Sequence, residues 1–193
     1  MRHLLSRLTY GTLLACTLAT PSFASPETYT LDPMHTAVEF HINHFGFSNP
    51  SGKFMNIQGT LVLDQQNPAA SKVNVTIPIA NLDTDIAKLD EHVKGKEFLD
   101  AEAFPTATYV SDRVDLNGKD SAVVHGTLTL HGVSKPVALN VKLNKLDKNM
   151  MNKMTAGFTA STSINRSDFG IDRYLPGLGD QVKIDIESEA NLQ

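Results

Sequence analysis

Three histidines and one glutamate between positions 35 and 47 are the residues of this sequence best suited to chemistry. The stretch reads HTAVEFHINHFGF. Imidazole and carboxylate groups bind zinc and act as general bases, so His35, Glu39 and His41 are candidates for the centre of a metal-dependent hydrolase. On a strand, residues two apart share a face and lie about 6.6–6.8 Å from each other. Glu39 and His41 can therefore converge on one ion, whereas a complete site needs a ligand from another strand. No second cluster of matching spacing occurs, so the favoured interpretation is that these are polar side chains that face solvent.

The same alternation places His44 on the opposite face. Val38, Phe40 and Ile42 form an apolar stripe that ends at His44. A histidine at the rim of an apolar face is most often hydrogen-bonded to the backbone. In a binding protein it can instead meet the headgroup of a ligand, because apolar pockets carry a few well-placed polar groups. Both interpretations stay open.

Two later segments also carry side chains that suit an apolar binding site. The connection over 92–105 contains Phe98 among other apolar residues. It is expected to pack against the core as a loop, and the compatible alternative is that it caps the end of a barrel. Phe158 lies on a strand face with small neighbours, which leave room for a ligand or for aromatic side chains. Arg166 then sits two residues from Asp168 in a predicted tight turn. The two form a local ion pair, or Arg166 is exposed and meets a phosphate or carboxylate headgroup.

Period-two alternation dominates the rest of the chain and predicts an all-β fold. Apolar and polar residues alternate over 72–79, 126–131, 137–144 and 182–187, and further strands are predicted over 36–45, 54–64, 105–115 and 154–164. Each strand has one apolar and one polar face, as half-buried antiparallel strands do. Eight such strands form a sandwich or a closed barrel. An eight-stranded barrel is just wide enough to be filled by side chains or to hold one small ligand.

One stretch has the pattern of a helix. Over 83–96, Ile86, Leu89 and Val93 fall at helical spacing. The polar run at 83–85 supplies caps for the first turn, and Gly95 is expected to end the helix. A second short turn is predicted over 166–171.

The N-terminus is typical of a secretory signal peptide. Arg2 and Arg7 precede an apolar run, and Ser22-Phe23-Ala24 offers a cleavage site after residue 24. We therefore predict a signal peptide over 1–24 and one domain over 25–193. The apolar run is too short to cross a bilayer, which takes about 20 residues. Cys16 offers an alternative, a lipoprotein anchor, although Leu14 fits a lipobox poorly.

Composition excludes several classes of function. Residues 25–193 contain 15 Lys and Arg against 21 Asp and Glu, a net charge of −6, which provides no basic surface for nucleic acid. They contain no cysteine, so disulfides, a thiol nucleophile and a cysteine-based zinc site are excluded. No nucleophile elbow, P-loop or zinc-protease motif occurs. No residue pattern indicates a catalytic triad, and an interaction module with a filled core is kept as a further hypothesis.

Several motifs in order along the chain resemble the YceI family of bacterial periplasmic proteins, a lipocalin-like, polyisoprenoid-binding group. They are Tyr29-Thr30-Leu31-Asp32 with His35, Val38-x-Phe40-x-x-x-His44-x-Gly46-Phe47, Gly52-x-Phe54, His92 with Phe98-Leu99-Asp100 and Phe104-Pro105-Thr106, Gly126 to Gly132 with Lys135-Pro136, Ile164-Asn165-Arg166-x-Asp168-Phe169-Gly170, and Gly179-Asp180-x-Val182. The resemblance covers the whole of 25–193.

The resemblance implies an eight-stranded antiparallel barrel with a hydrophobic tunnel and a periplasmic, non-enzymatic role. The implied ligand is a polyisoprenoid, a polyprenyl pyrophosphate, a quinone tail or another lipid, with no other cofactor, and the implied role is transport, storage or stress response. A homodimer is compatible with the family. The resemblance does not fix which residues touch the ligand. Our own prediction is that His44 and Arg166 contact the headgroup and that the tunnel wall consists of Val38, Phe40, Ile42, Phe54, Phe98, Phe158 and Phe169.

Overall fold

The computed structural model describes residues 25–193 of the chain. The predicted signal peptide over 1–24 and the lipoprotein alternative at Cys16 lie outside the described residues.

Eleven strands of the described chain join in one antiparallel sheet. They are β1 (Glu27–Leu31), β2 (Ala37–His44), β3 (Ser51–Phe54), β4 (Gln58–Leu63), β5 (Lys72–Pro78), β6 (Leu82–Asp83), β7 (Thr106–Leu116), β8 (Ser121–Leu130), β9 (Val133–Lys148), β10 (Met154–Asn165) and β11 (Leu178–Leu192). One α-helix, α1 (Ala87–Lys94), lies between β6 and β7, and short 3-10 helices occupy Pro68–Ala70, Ile79–Asn81 and Arg166–Phe169.

The sheet closes on itself as a barrel of eight strand positions. The ring runs β1-β4-β5-β7-β8-β9-β10-β11, and β1 pairs with both β4 and β11. The strands β2, β3 and β6 extend the positions of β1, β4 and β5, because β2 pairs with an earlier part of the same β11. This confirms the prediction of an eight-stranded antiparallel barrel with one short helix. Closure pairs the strands around the ring and removes exposed edges there.

Cross-strand register confirms how the alternation divides β2. Phe40 pairs with Ile184 and Ile42 pairs with Val182, whereas Glu39 pairs with Asp185. Directly paired residues point to the same face of a sheet. The apolar set of β2 therefore faces the barrel interior together with that of β11, and the polar set faces outward.

Two clusters of buried side chains lie in the interior. The first consists of Tyr29, Leu31, Ile57, Leu61, Ala156 and Ala190. The second consists of Phe98, Tyr109, Leu128, Phe169 and Ile171.

Tyr109, in the second cluster, bonds to the backbone of two neighbouring strands, β8 and β9. Its hydroxyl donates to the carbonyl oxygens of Val124 at 3.0 Å and Val137 at 3.2 Å, and burial raises its pKa to about 12. Its ring rests on Gly126, where a Cβ atom would lie 2.7 Å from the ring. Position 126 therefore requires glycine in order to admit the ring.

The helix is shorter than the predicted 83–96 because the residues before it, 84–86, form a turn instead of the first turn of the helix. Asp85 has φ of 62°, and Ile86, at the helix N-cap, is extended and 58% exposed instead of facing the core. Asp90 accepts hydrogen bonds from the amide and hydroxyl of Thr84 at 2.8 and 2.6 Å, so the predicted caps at 83–85 are replaced by this reverse contact. The predicted end at Gly95 is confirmed, since its amide donates to the carbonyl of His92.

Candidate functional site

A cavity of about 500 Å³ lies between β2, α1 and the segment that leads into β11. Its volume is within the range of about 300–1,000 Å³ that is usual for ligand pockets. The lining residues come from five segments of the chain and are Phe40, Ile42, His44, Phe45, Ser48, Pro50, Ser51, Thr84, Leu89, His92, Val93, Phe98, Tyr174 and Leu178.

The strand β2 supplies one wall of the cavity. Its inward-facing residues lie progressively deeper in the cavity from His44 back to Phe40. Val38 packs against the first buried cluster, whereas Phe40 and Ile42 line the cavity and His44 lies at its rim. Alternate residues are about 6.6–6.8 Å apart, so about 13 Å separate His44 from Phe40. The apolar stripe predicted from the sequence is therefore the wall of a site about four residues deep.

The helix α1 covers the cavity from the other side. Leu89 and Val93 are four residues apart and lie on the same face of a helix, and both line the cavity. His92 lies beside them, with its ring edge-to-face on Phe98 at a centroid distance of 5.0 Å. Phe98 in turn lies 6.1 Å from the ring of Tyr174, so aromatic rings join the helix to the segment before β11.

The loop after β2 forms the rim and has a defined conformation. The amide of Phe45 donates to the carbonyl of Gly177 at 3.0 Å, and the amide of Gly46 donates to Asn43 Oδ1 at 2.9 Å. Phe45 and Gly46 both have positive φ. This turn leaves the side chain of Phe47 89% exposed next to the mouth of the cavity.

His44 is exposed at this rim. Its ring lies edge-to-face on Phe45 at 4.9 Å, and its backbone amide donates to the carbonyl of Ser48. Within residues 25–193 the imidazole itself makes no side-chain hydrogen bond to the backbone. Its contact with a ligand headgroup stays a prediction.

Arg166 has a different environment from the exposed one that the headgroup prediction requires. Its side chain is only 4% exposed. The guanidinium donates to the carbonyl oxygens of Gly179, Ile171 and Leu178 at 2.8, 2.9 and 2.9 Å. Burial lowers its pKa from the ordinary value, and nearby carboxylates oppose that shift.

The assumption that Arg166 is exposed was therefore wrong. The alternative ion pair with Asp168 does not form either, because the polar atoms of Arg166 bond to backbone carbonyls. Arg166 ties Ile171, in the segment before β11, to the first two residues of β11. Tyr174 and Leu178 of this stretch form part of the cavity wall. The predicted turn itself is present as the 3-10 helix Arg166–Phe169.

Four of the nine predicted ligand contacts lie together at the cavity, namely Phe40, Ile42, His44 and Phe98. Val38, Phe54 and Phe158 instead pack against the first buried cluster, and Phe169 is buried in the second. Sequence reasoning missed Leu89, Val93 and the residues of the rim loops. The helical spacing of Leu89 and Val93 was a usable signal, since the helix had to bury that face somewhere.

The three residues proposed as metal ligands do not converge. His41 Nε2 lies 3.7 Å from both Glu39 Oε1 and Asp185 Oδ2 on the outer face. His35 is grouped with Asp32 and Glu189, and this is the single set of three ligand-type side chains found among the described residues. The hydrolase hypothesis on His35, Glu39 and His41 therefore has no common site.

The group of Asp32, His35 and Glu189 is an exposed hydrogen-bonded cluster. His35 Nδ1 lies 3.0 Å from Asp32 Oδ2 and 4.0 Å from Glu189 Oε2. Asp32 also accepts hydrogen bonds from the amides of Met34 and Asn191. The contact with Asp32 raises the pKa of His35, and the contact with His35 lowers the pKa of Asp32. The carboxylate is already occupied by internal donors, so the cluster is explained without a metal.

The Asp32→Asn variant is expected to return the pKa of His35 toward its ordinary value. The raised pKa of His35 stabilises the folded protein at pH values below the pKa that His35 has in the unfolded chain. This stabilisation is lost as the pH rises through the raised pKa of the folded state. The lowered pKa of Asp32 stabilises the folded protein at pH values above the pKa that Asp32 has in the unfolded chain. This stabilisation is lost as the pH falls through the lowered pKa of the folded state. NMR titration of the imidazole measures the change. The Glu189→Gln control should shift this pKa less, and an equal shift in both variants would contradict the assignment to Asp32.

Comparison with known proteins identifies relatives along most of the chain. A family model described as a YceI-like domain matches residues 29–190. A UPF0312 protein of Enterobacter sp. (strain 638) is 39% identical over 185 residues, which are 95% of this chain and 96% of the relative. The crystal structure of a Campylobacter jejuni YCEI protein has a TM-score of 0.70 at 29% identity and covers 78% of this chain and 90% of its own.

A more distant structure shares the fold. It is a polyisoprenoid binding domain from Saccharophagus degradans implicated in plant cell wall breakdown, with a TM-score of 0.64 at 16% identity, and it covers 86% of this chain and 98% of its own. Within residues 25–193, no helix has both the length and the apolar composition that a membrane span requires.

Proposed function

The chain belongs to the YceI-like family, and we propose that it binds a long apolar ligand, such as a polyisoprenoid, a quinone tail or another lipid. The observation that carries this proposal is the cavity beneath α1, which Phe40, Ile42, Leu89, Val93 and Phe98 line with apolar side chains. A ligand with many polar groups would leave them without partners along this wall, at a cost in free energy.

The energetics suit an apolar chain. Each CH₂ group removed from water contributes about 0.8 kcal/mol, so affinity comes from enclosed area and demands little of individual side chains. The S. degradans structure that shares this fold is described as a polyisoprenoid binding domain, which supports the same ligand class here.

The polar end of the ligand belongs at the rim. His44 and His92 approach the mouth from β2 and from α1, and both line the cavity. Imidazoles donate or accept hydrogen bonds according to their protonation, which suits a hydroxyl, carbonyl or phosphate headgroup. Arg166 is not among these headgroup contacts, because its guanidinium already donates hydrogen bonds to three backbone carbonyls.

The role that follows is that of a binding protein or carrier and not of a catalyst. The signal peptide predicted over 1–24 supports export to the periplasm, where an apolar chain needs protection from water between membranes. The outward His41 and Glu39 do not form a reaction centre with His35. The interaction-module alternative is less well supported, because the barrel has a cavity at one end.

Protein purified natively from the periplasm of a cell that expresses the full chain should carry a co-purifying lipid. Organic extraction followed by mass spectrometry is expected to recover one ligand per protein or a substantial fraction of that. A matched preparation of an unrelated exported protein controls for lipid carried over from the membrane. Recovery of no lipid beyond that control would contradict the proposal.

A further inference from the structure

Two loops at the mouth of the cavity contain no Asp, Glu, Lys or Arg. The first covers 43–50 at the end of β2, and the second covers 174–177 before β11. These four residue types make up 20% of the whole chain, so their absence from both loops sets this part of the surface apart. Moving an ionised side chain out of water is costly. These loops, which we call the mouth loops, can therefore enter an apolar medium without that cost.

Aromatic side chains project from the mouth loops into solvent. Phe47 is 89% exposed, Phe45 is 49% exposed and Tyr174 is 45% exposed. Phe45 and Tyr174 also line the cavity, so apolar surface continues from the cavity outward to Phe47. Single exposed apolar side chains are common, whereas a group of them marks a surface that binds another molecule.

Specific contacts hold the mouth loops in this arrangement. Asn43 Nδ2 donates to Asn49 Oδ1 at 3.3 Å across the first loop. The amide of Phe45 donates to the carbonyl of Gly177 in the second loop, and the Phe45 ring lies so close to Gly177 that a Cβ atom there would overlap it. The aromatic rings are thus presented in fixed positions, which reduces the entropy lost on binding.

The exposed aromatic surface is too small for a stable protein interface. An aromatic side chain offers about 200 Å² when fully exposed, so the three rings at their observed exposures offer about 400 Å². A stable protein complex buries about 800 Å² on each partner. Shallow insertion into a bilayer interface needs only a few apolar and aromatic side chains. The area and the lack of charge therefore both favour a lipid surface over a second copy of the chain.

We propose that the mouth loops dock on the surface of a lipid bilayer, with the ring of Phe47 inserted below the headgroups. This docking turns the mouth of the cavity toward the membrane. The inference rests on the proposed function and names the partner with which the site exchanges its apolar ligand. Residues 25–193 have a net charge of −6, and a surface of anionic lipids repels negative charge. The partner is therefore a bilayer rich in zwitterionic lipids.

The chain contains no tryptophan, so the Phe47→Trp variant carries a single indole that reports on its surroundings. On addition of phosphatidylcholine vesicles, its fluorescence should shift to shorter wavelength, and brominated acyl chains should quench it. Met150→Trp is the matched control, and its indole should show neither change. Met150 is also fully exposed, at the turn between β9 and β10, and this turn lies at the opposite end of the barrel from His44.

Removal of the Phe47 ring should weaken the docking. Phe47→Ser is expected to lower the partition of the protein onto phosphatidylcholine vesicles by about tenfold, the lower end of what burial of a Phe side chain contributes. Co-sedimentation with the vesicles measures this partition, and Met150→Ser should leave it unchanged. Addition of phosphatidylglycerol to the vesicles should lower the binding of the unaltered protein, because of its negative charge.

Docking and ligand binding can fail separately. A prenyl alcohol supplied in detergent, without vesicles, tests the proposed function, and Phe47→Ser should bind it as the unaltered protein does, because Phe47 does not line the cavity. Protein that binds the alcohol but not the vesicles overturns the docking alone, and protein that binds the vesicles but not the alcohol overturns the proposed function alone. Equal fluorescence changes in the Phe47→Trp and Met150→Trp variants also overturn the docking. Self-association that Phe47→Ser abolishes, without vesicle binding, would assign the mouth loops to a second copy instead.

Discussion

Replacing Arg166 with methionine is expected to lower the free energy of unfolding by about 3–5 kcal/mol, the largest loss from any single polar residue considered for this chain. The guanidinium satisfies three backbone carbonyls at 2.8–2.9 Å from a position that is 4% exposed. Methionine has a similar length but no donor. The carbonyls of residues 171, 178 and 179 then lose their partner, and each unsatisfied buried group costs about 1–3 kcal/mol.

Urea denaturation at fixed pH measures this loss, with the slope of the transition used to check that the unfolding remains two-state. Arg173→Met is the matched control. Its guanidinium is half-exposed, stacks on Tyr174 and pairs with Glu97 at 3.0 Å, and such surface pairs contribute about 0–1 kcal/mol. Equal losses in the two variants would contradict the structural role given to Arg166. Arg166→Lys should recover little, because one ammonium does not reproduce the planar fork of donors.

Arg166 also shows where prediction from sequence reaches its limit. Arginine is rarely buried completely, so a charged residue beside a predicted turn is expected to face solvent. Its burial depends on three carbonyls 5 to 13 residues later, one of Ile171 in the segment before β11 and two at the start of β11. No local pattern encodes that arrangement, because the donors and acceptors meet only after β10 and β11 have paired.

The barrel and the wall of β2 were predictable for the opposite reason. Side-chain direction alternates along any strand, so the assignment of Phe40 and Ile42 to one face and Glu39 and His41 to the other needs only local information. The register of β2 against β11 confirms that division. Phe54 and Phe158 do not line this cavity, because alternation shows which face is inward but not where along the barrel a cavity opens. Their contact with a ligand stays a prediction.

The position of α1 is intermediate between these cases. The spacing of Leu89 and Val93 indicates an apolar face that must be covered, and this much is local. Which surface covers it depends on the turn at 84–86 and on the aromatic contacts of Phe98, which are tertiary. The helix was therefore predictable as an element, whereas its function as the cover of a cavity was not.

Replacing Leu89 with glutamate is expected to weaken binding of a prenyl alcohol by about tenfold to a hundredfold while the barrel stays folded. The variant exchanges an apolar side chain that lines the cavity for a carboxylate, which an apolar chain would have to desolvate. The lost contact of a leucine side chain alone is worth about 1.5–3 kcal/mol. Glutamate is a good helix former and is favourable in the first turns of a helix, so α1 itself should persist.

Ala87→Glu is the matched control, because it places the same carboxylate at an exposed position of the same helix. Binding is measured by transfer of the alcohol from vesicles, and circular dichroism and urea denaturation confirm that both variants keep the fold. The cavity beneath α1 is the binding site if Leu89→Glu loses the ligand and Ala87→Glu retains it. Equal binding by the two variants would place the ligand elsewhere. Failure of the unaltered protein to bind the alcohol would instead favour the interaction module, in which the exposed rim at Phe45 and Phe47 contacts a protein partner.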